Sequence, residues 1–210
     1  MTPNSTNEAQ IRKQNSIRLL RAKGLPVLDS LPEIEEAAEV TIRSGEEIVH
    51  RILCLTAVAQ AAFLGRAGPV LPFVGRWKLD AHLTPQEREC LQGDAVSEVD
   101  AIRFSWRTEA IVPLMWALGL IDELWFPSED INAQDILDYW QAFAHDDLSR
   151  IGHRDVGEIL DEADLIYRIH WAVREGAEGP LPGVVQERHH ALNWLIGYEG
   201  DGWDDVQTDT

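Results

Sequence analysis

Residues 44–65, "SGEEIVHRILCLTAVAQAAFLG", constrain this chain more than any other stretch. They open with a capping box, Ser44 followed three residues later by Glu47, so a helix begins there. From Ile52 onward apolar residues cover every side of that helix rather than one stripe. A helix apolar all round has to be enclosed by other elements. The apolar tract, residues 52–64, is too short to span a bilayer and contains Thr56 and Gln60. The enclosure is therefore expected to be protein, with this helix at the centre.

The rest of the chain offers helices to do it. "IRKQNSIRLLRAKG" reads as a helix closing at Gly24, where glycine accepts the left-handed terminal conformation. "SLPEIEEAAEV" reads as a helix with Ser30 as cap and Pro32 in its first turn. "TPQERECLQG" carries a second capping box, Thr84 and Glu87, with Pro85 at the first helical position. "SEVDAIRFSWRTEAIVPLMWALG" reads as one long helix kinked at Pro113, which cannot bond the carbonyl of Glu109. Three more helices follow in "SEDINAQDILDYWQAFA", "DVGEILDEADLIYRIHWAVREG" and "VVQERHHALNWLIG". Residues 66–80, rich in Gly and Pro, read as a long loop with room for a short strand, and "HDDLSRIGHR" as another loop. Strand signals are almost absent. The expected fold is all-α, a single-domain bundle of about eight helices with a central apolar helix and a Pro-kinked one. Residues 1–24 would form a basic helix packed on, or extending from, a body spanning 25–210, with an acidic tail at 198–210 pinned by Trp203.

Charge narrows the function. The 210 residues carry a net −18. Residues 1–24 hold five bases and one acid, which leaves −22 for the remainder. Such a surface repels phosphates and anionic headgroups, so nucleic acid and membrane are not expected partners. A basic protein partner, a cationic small molecule or a metal ion is favoured, as is plain solubility. Two cysteines far apart, Cys54 and Cys90, make no disulfide framework and fit a reducing cytosol. The N-terminal residues have no apolar h-region, so a cytoplasmic protein is expected. Nothing in the sequence requires a cofactor.

The residues that could carry chemistry cluster in "ERHHALNW" and its expected neighbours. Glu47 and His50, and again Glu187 and His190, stand at i and i+3, so each pair shares a helix face. Paired Glu-x-x-His motifs hold metals in ferritin-like bundles, yet Glu47 already has a capping role. Glu109, beside Trp106 and Trp116, is a carboxylate in an apolar site whose pKa rises unless an arginine pairs with it. Arg103, Arg107, Arg168 and Arg188 are the available partners. His170 lies on the apolar face of its helix, where an imidazole is more simply a satisfied core group. The candidate catalytic set is Glu109, His170, Glu187 and His190. The candidate ligand-binding set is Arg107, Arg168, Arg188, Asn193 and Trp194. The weak metal set is Glu47, His50, Glu187 and His190. Against these stands the plainer reading that "ERHHALNW" is a polar seam between packed helices, partnered by "DLIYRIHW" and "WRTE". No phosphate loop, GxSxG elbow or HExxH motif is present.

Taken together, "LPEIEEAAEVTIRSGEEIVHR", "WRTEAIVPLMWALG", "EILDEADLIYRIHWAV", "ERHHALNWL" and "WDDVQTDT" resemble the bacterial family named domain of unknown function 4272. The resemblance runs from about Ile17 to Thr210 and implies one intact domain. It carries no activity and no catalytic residue with it, and residues 66–80 match nothing in it. The expectation is a non-enzymatic helical binding module with an acidic surface. The alternative is an enzyme, with or without a metal, whose pocket would gather Glu109, His170, Glu187 and His190.

Overall fold

The computed structural model describes residues 7–143 and 151–210. Its helices are α1 (Glu8–Ala22), α2 (Gly45–Leu64), α3 (Leu71–Trp77), α4 (Pro85–Gln92), α5 (Glu98–Ser105), α6 (Arg107–Ala117), α7 (Ala133–Ala142), α8 (Val156–Arg174) and α9 (Pro182–Ile196). No strand occurs among the described residues. Most of the expected loop "HDDLSRIGHR" lies outside the described residues.

α2 is the centre. Its capping box forms as expected, with Ser44 and Glu47 exchanging bonds. Ile48, Val49, Ile52, Leu53, Leu55 and Val58 have no exposed surface. α4, α5, α6 and α7 pack around it. By length and composition α2 could cross a membrane, but 72% of its apolar window is buried inside the protein. α6 and α8 then pack on α9, and α1 packs on α8.

Three expectations change. Residues 25–44 form no helix. They run as an irregular strap, with turns near residues 29–31 and 37–39, fastened to α1 and α8. The strap's carbonyls, which a helix would use internally, accept hydrogen bonds from cations elsewhere. Lys13 Nζ donates to Leu31 O at 2.6 Å, Arg12 Nη1 to Glu35 O at 3.1 Å and Arg168 Nη2 to Pro32 O at 2.8 Å. A charged donor makes a stronger bond than a backbone amide, so these bonds compete well with a short acidic helix. Residues 66–80, expected as loop, are helical: a 3-10 turn at Gly68–Val70, then α3, then a second turn at Leu79–Ala81. Their prolines fall in first turns, where the missing N–H has no helical partner to lose. The long helix expected over residues 97–119 is divided at Trp106, and Pro113 sits inside α6. Hydroxyls explain the break. Ser105 Oγ donates to Ile102 O and Thr108 Oγ1 to Ser105 O, side-chain bonds that compete with the helical ladder.

One buried ion pair ties the outer layer to the centre. Arg51 on α2 donates through Nη2 to both carboxylate oxygens of Glu87 on α4, with both side chains buried. Glu87 also closes the Thr84 capping box. Removing one partner strands the other charge, so Glu87→Ala should lower the unfolding free energy by about 3–5 kcal/mol. The double variant Arg51→Met/Glu87→Gln should recover part of that loss in urea unfolding, because no buried charge is left alone.

Candidate functional site

α9 is buried on two sides. Glu187, Arg188, His189, His190 and Asn193 are all at most 9% exposed. Each must therefore find a partner inside the protein. Arg107 Nη1 on α6 donates to Glu187 Oε2 at 2.8 Å. Arg188 Nη1 donates to Trp125 O at 2.6 Å, and its Nη2 lies 3.6 Å from Glu109 Oε2. Glu109 Oε1 accepts from Ile131 N at 2.7 Å. His190 Nε2 donates to Trp203 O at 3.0 Å, which fixes the Nε2–H tautomer. Asn193 Nδ2 donates to Gln207 O at 2.8 Å. The nitrogens His170 Nδ1 and His189 Nδ1 are 2.8 Å apart, so one carries the proton and the other accepts it.

Glu187, Arg188 and His189 find partners in "WRTE" and "DLIYRIHW", whereas His190 and Asn193 bond the C-terminal tail and Arg188 also bonds Trp125 O, partners the sequence reading did not name. Of the four arginines available to Glu109, Arg188 takes the place. Burial pushes the Glu109 and Glu187 carboxyls up, against the pull of Ile131 N–H and Arg188 on the first and Arg107 on the second. Burial drives His189 and His190 down to about 3, helped by His170 at His189 and by Arg107 at His190. Cys54 and Cys90 are free and buried, and burial raises their thiols to about 12 and about 11. Thiols so held are poor nucleophiles.

The candidate catalytic set is not brought together in one pocket. Glu109, His170, Glu187 and His190 each bond a different local partner. The metal candidates are also occupied: Glu47 caps α2 and His50 stacks on His82 at 3.7 Å. Among the described residues no group of three or more His, Cys, Asp or Glu is placed to hold a metal. In the ligand-binding set, Arg168 pairs with Asp164 and holds the strap. Trp194 packs edge-on against Trp203, with Arg43 over its face.

The open space lies beside the seam. The tail follows α9, held by Gln186 to Thr208, Asn193 to Gln207 and Arg174 to Thr210. Between this tail and the strap is a cleft of about 340 Å³, lined by Glu33, Ile34, Glu35, Tyr167, His189, Asn193, Tyr198 and Asp209 among others. A second cleft, about 490 Å³, continues along the strap past Glu39, Arg43, Glu47 and Glu199. The two share Glu35, Ile196 and Tyr198 and make one trough. Asn193 is the single member of the candidate sets inside the 340 Å³ cleft, and Glu47 the single one in the other. Tyr167, Tyr198, His189 and the strap glutamates escaped sequence reasoning, because their common face exists only once the non-helical strap lies beside α8 and α9. The visible signal was the density of acids at residues 33–39.

The histidines set an acid sensitivity. Their folded pKa values lie below the unfolded 6.5. Between pH 6.5 and about 3 the unfolded chain takes up protons that the folded one refuses. Stability therefore falls as pH drops through that window, by up to about 1.4 kcal/mol per pH unit for each ring. The raised carboxylates act with the opposite sign above 4.5, where the folded form keeps their proton. His190→Gln should flatten part of the decline when urea unfolding is followed from pH 7 to 4. An unchanged slope would mean His190 is protonated in the folded protein.

A family model described as Domain of unknown function (DUF4272) matches residues 12–206. Neither the curated proteins nor the solved structures yield a match.

Proposed function

The chain belongs to the DUF4272 family, and we propose that it is a non-enzymatic binding protein that engages an extended basic partner, such as a lysine- and arginine-rich peptide segment, along the strap-and-tail trough. The observation that carries this reading is the continuity of the two clefts. Glu33, Glu35, Glu39, Glu47, Glu199 and Asp209 line them, against one base, Arg43. That base donates to Trp194 O and Asp201 O and lies 3.8 Å from Glu47 Oε1, which leaves the other five carboxylates without it.

Single exposed ion pairs contribute little, about 0–1 kcal/mol each. Six carboxylates along one channel act together, because a concave surface of one sign focuses its field on an approaching cation. The apolar floor, Ile34, Ala163 and Ile196, adds area that a charged rim alone lacks. An elongated channel suits an extended segment better than a compact molecule. A cytoplasmic bacterial protein with this charge would meet many polycations, and the rim supplies on-rate and selectivity more than affinity. No observation favours the enzymatic alternative, since Glu109, His170, Glu187 and His190 do not converge.

The test uses a fluorescein-labelled hexalysine peptide and anisotropy at two salt concentrations. Glu33→Gln/Glu35→Gln/Glu39→Gln should weaken binding by about tenfold or more. The charge-matched control Asp94→Asn/Glu98→Gln/Glu129→Gln, at exposed positions outside both clefts, should change it by less than about threefold. That contrast separates a localised site from net charge. Equal losses in the two triples would sink the trough as the site.

A further inference from the structure

His189 is 1% exposed and lines the 340 Å³ cleft. Its Nδ1 is committed to His170, so the opposite edge of the ring, with Nε2, is what remains to meet the cleft. Nε2 makes no hydrogen bond with any described residue. The hydroxyls of Tyr167 and Tyr198, on the same cleft, likewise make none. One ring nitrogen of a buried histidine and two hydroxyls of half-buried tyrosines, all without a partner among the described residues, thus line one cavity, and a deeply placed imidazole nitrogen left unpaired is uncommon in native proteins.

The histidine pair defines what is offered. Two Nδ1 atoms at 2.8 Å need one proton between them. When His189 supplies it, its Nε2 is a bare lone pair and His170 carries its single N–H on Nε2. We propose that this end of the trough is a pocket for a lysine side chain, with His189 Nε2 accepting a hydrogen bond from the primary ammonium. The inference rests on the basic-partner reading above and names what that partner inserts.

The surroundings fit that side chain. Ile34, Ala163 and Ile196 supply apolar wall for the methylene stem. The ammonium has three donors: one meets His189, and the tyrosine oxygens are acceptors for the others. Asp209 at the rim balances the charge. Burial holds His189 neutral near neutral pH, so the ring does not repel the incoming cation. A guanidinium, planar and with five donors in a fixed fork, is matched by paired carboxylate oxygens rather than by a single imidazole lone pair. A trimethylated ammonium keeps the charge and the aromatic contact but has no N–H to donate.

Those differences make the test. Arginine-rich peptides with a central lysine, trimethyllysine or alanine are titrated into the full-length protein by anisotropy, and the ¹⁵N shift of His189 Nε2 is followed by NMR. The lysine form should bind about tenfold tighter than the other two, and only it should move the Nε2 resonance. In His189→Phe the three peptides should bind alike. Because that variant loses the bond to His170 and could misfold, Tyr198→Phe, at a half-buried position, serves beside it and should narrow the lysine preference about threefold. Equal binding of lysine and trimethyllysine with a still imidazole overturns the lysine pocket while leaving the trough in place. Failure of all three peptides to bind overturns the trough as well.

Discussion

The enclosure of α2 is the constraint on which the other elements depend. A helix with apolar residues on all sides has no stable place except among protein neighbours. α4, α5, α6 and α7 supply them, and α9 and α8 build outward from α6. Charged groups on these helices are buried where the helices meet. Arg51–Glu87, Arg107–Glu187 and Arg188–Glu109 sit at such junctions. A buried pair of this kind contributes modestly to net stability but penalises alternative packings that separate it. Here the pairs act chiefly as register pins.

The cations also shape the surface. An excess of acid leaves few bases, and several of those bind backbone carbonyls. Lys13, Arg12 and Arg168 fasten the strap, and Arg43 joins it to the last turn of α9 and the tail. With these bases bonded to carbonyls, Glu33 and Glu39 stay exposed, and among the described residues no strap glutamate has its carboxylate in an ion pair. The acidic trough is thus a consequence of how the strap is fastened, and the structural and functional readings of these arginines are linked rather than competing.

Much of the helical framework was legible in local chemistry. The Ser44–Glu47 and Thr84–Glu87 boxes form, Gly24 takes a φ of +74°, and Trp203 buries the tail. Capping depends on residues three apart, so it can be read without knowing the fold. The misreadings have one cause. At residues 30–40 a plausible helix lost to hydrogen bonds from side chains as far away as Arg168. At residues 66–80 prolines taken as loop punctuation stand at helix starts. At Trp106 two hydroxyls divide a helix whose apolar pattern runs straight through. In each case a choice between local conformations was close, and a few hydrogen bonds decided it.

The sequence by itself determined the all-α class, the central helix, the family and that the polar groups of "ERHHALNW" meet other segments, "WRTE" and "DLIYRIHW" among them. These follow from periodicity, caps and the need of buried polar groups for partners, all encoded within short windows. Only the tertiary structure decided which arginine meets which carboxylate, that Glu109, His170, Glu187 and His190 each bond a different partner, and that His189 faces a cleft beside Tyr167 and Tyr198. Those facts depend on how two segments far apart in the chain, the strap and the tail, lie over α8 and α9. Side-chain spacing along one helix cannot specify a surface that three other segments complete.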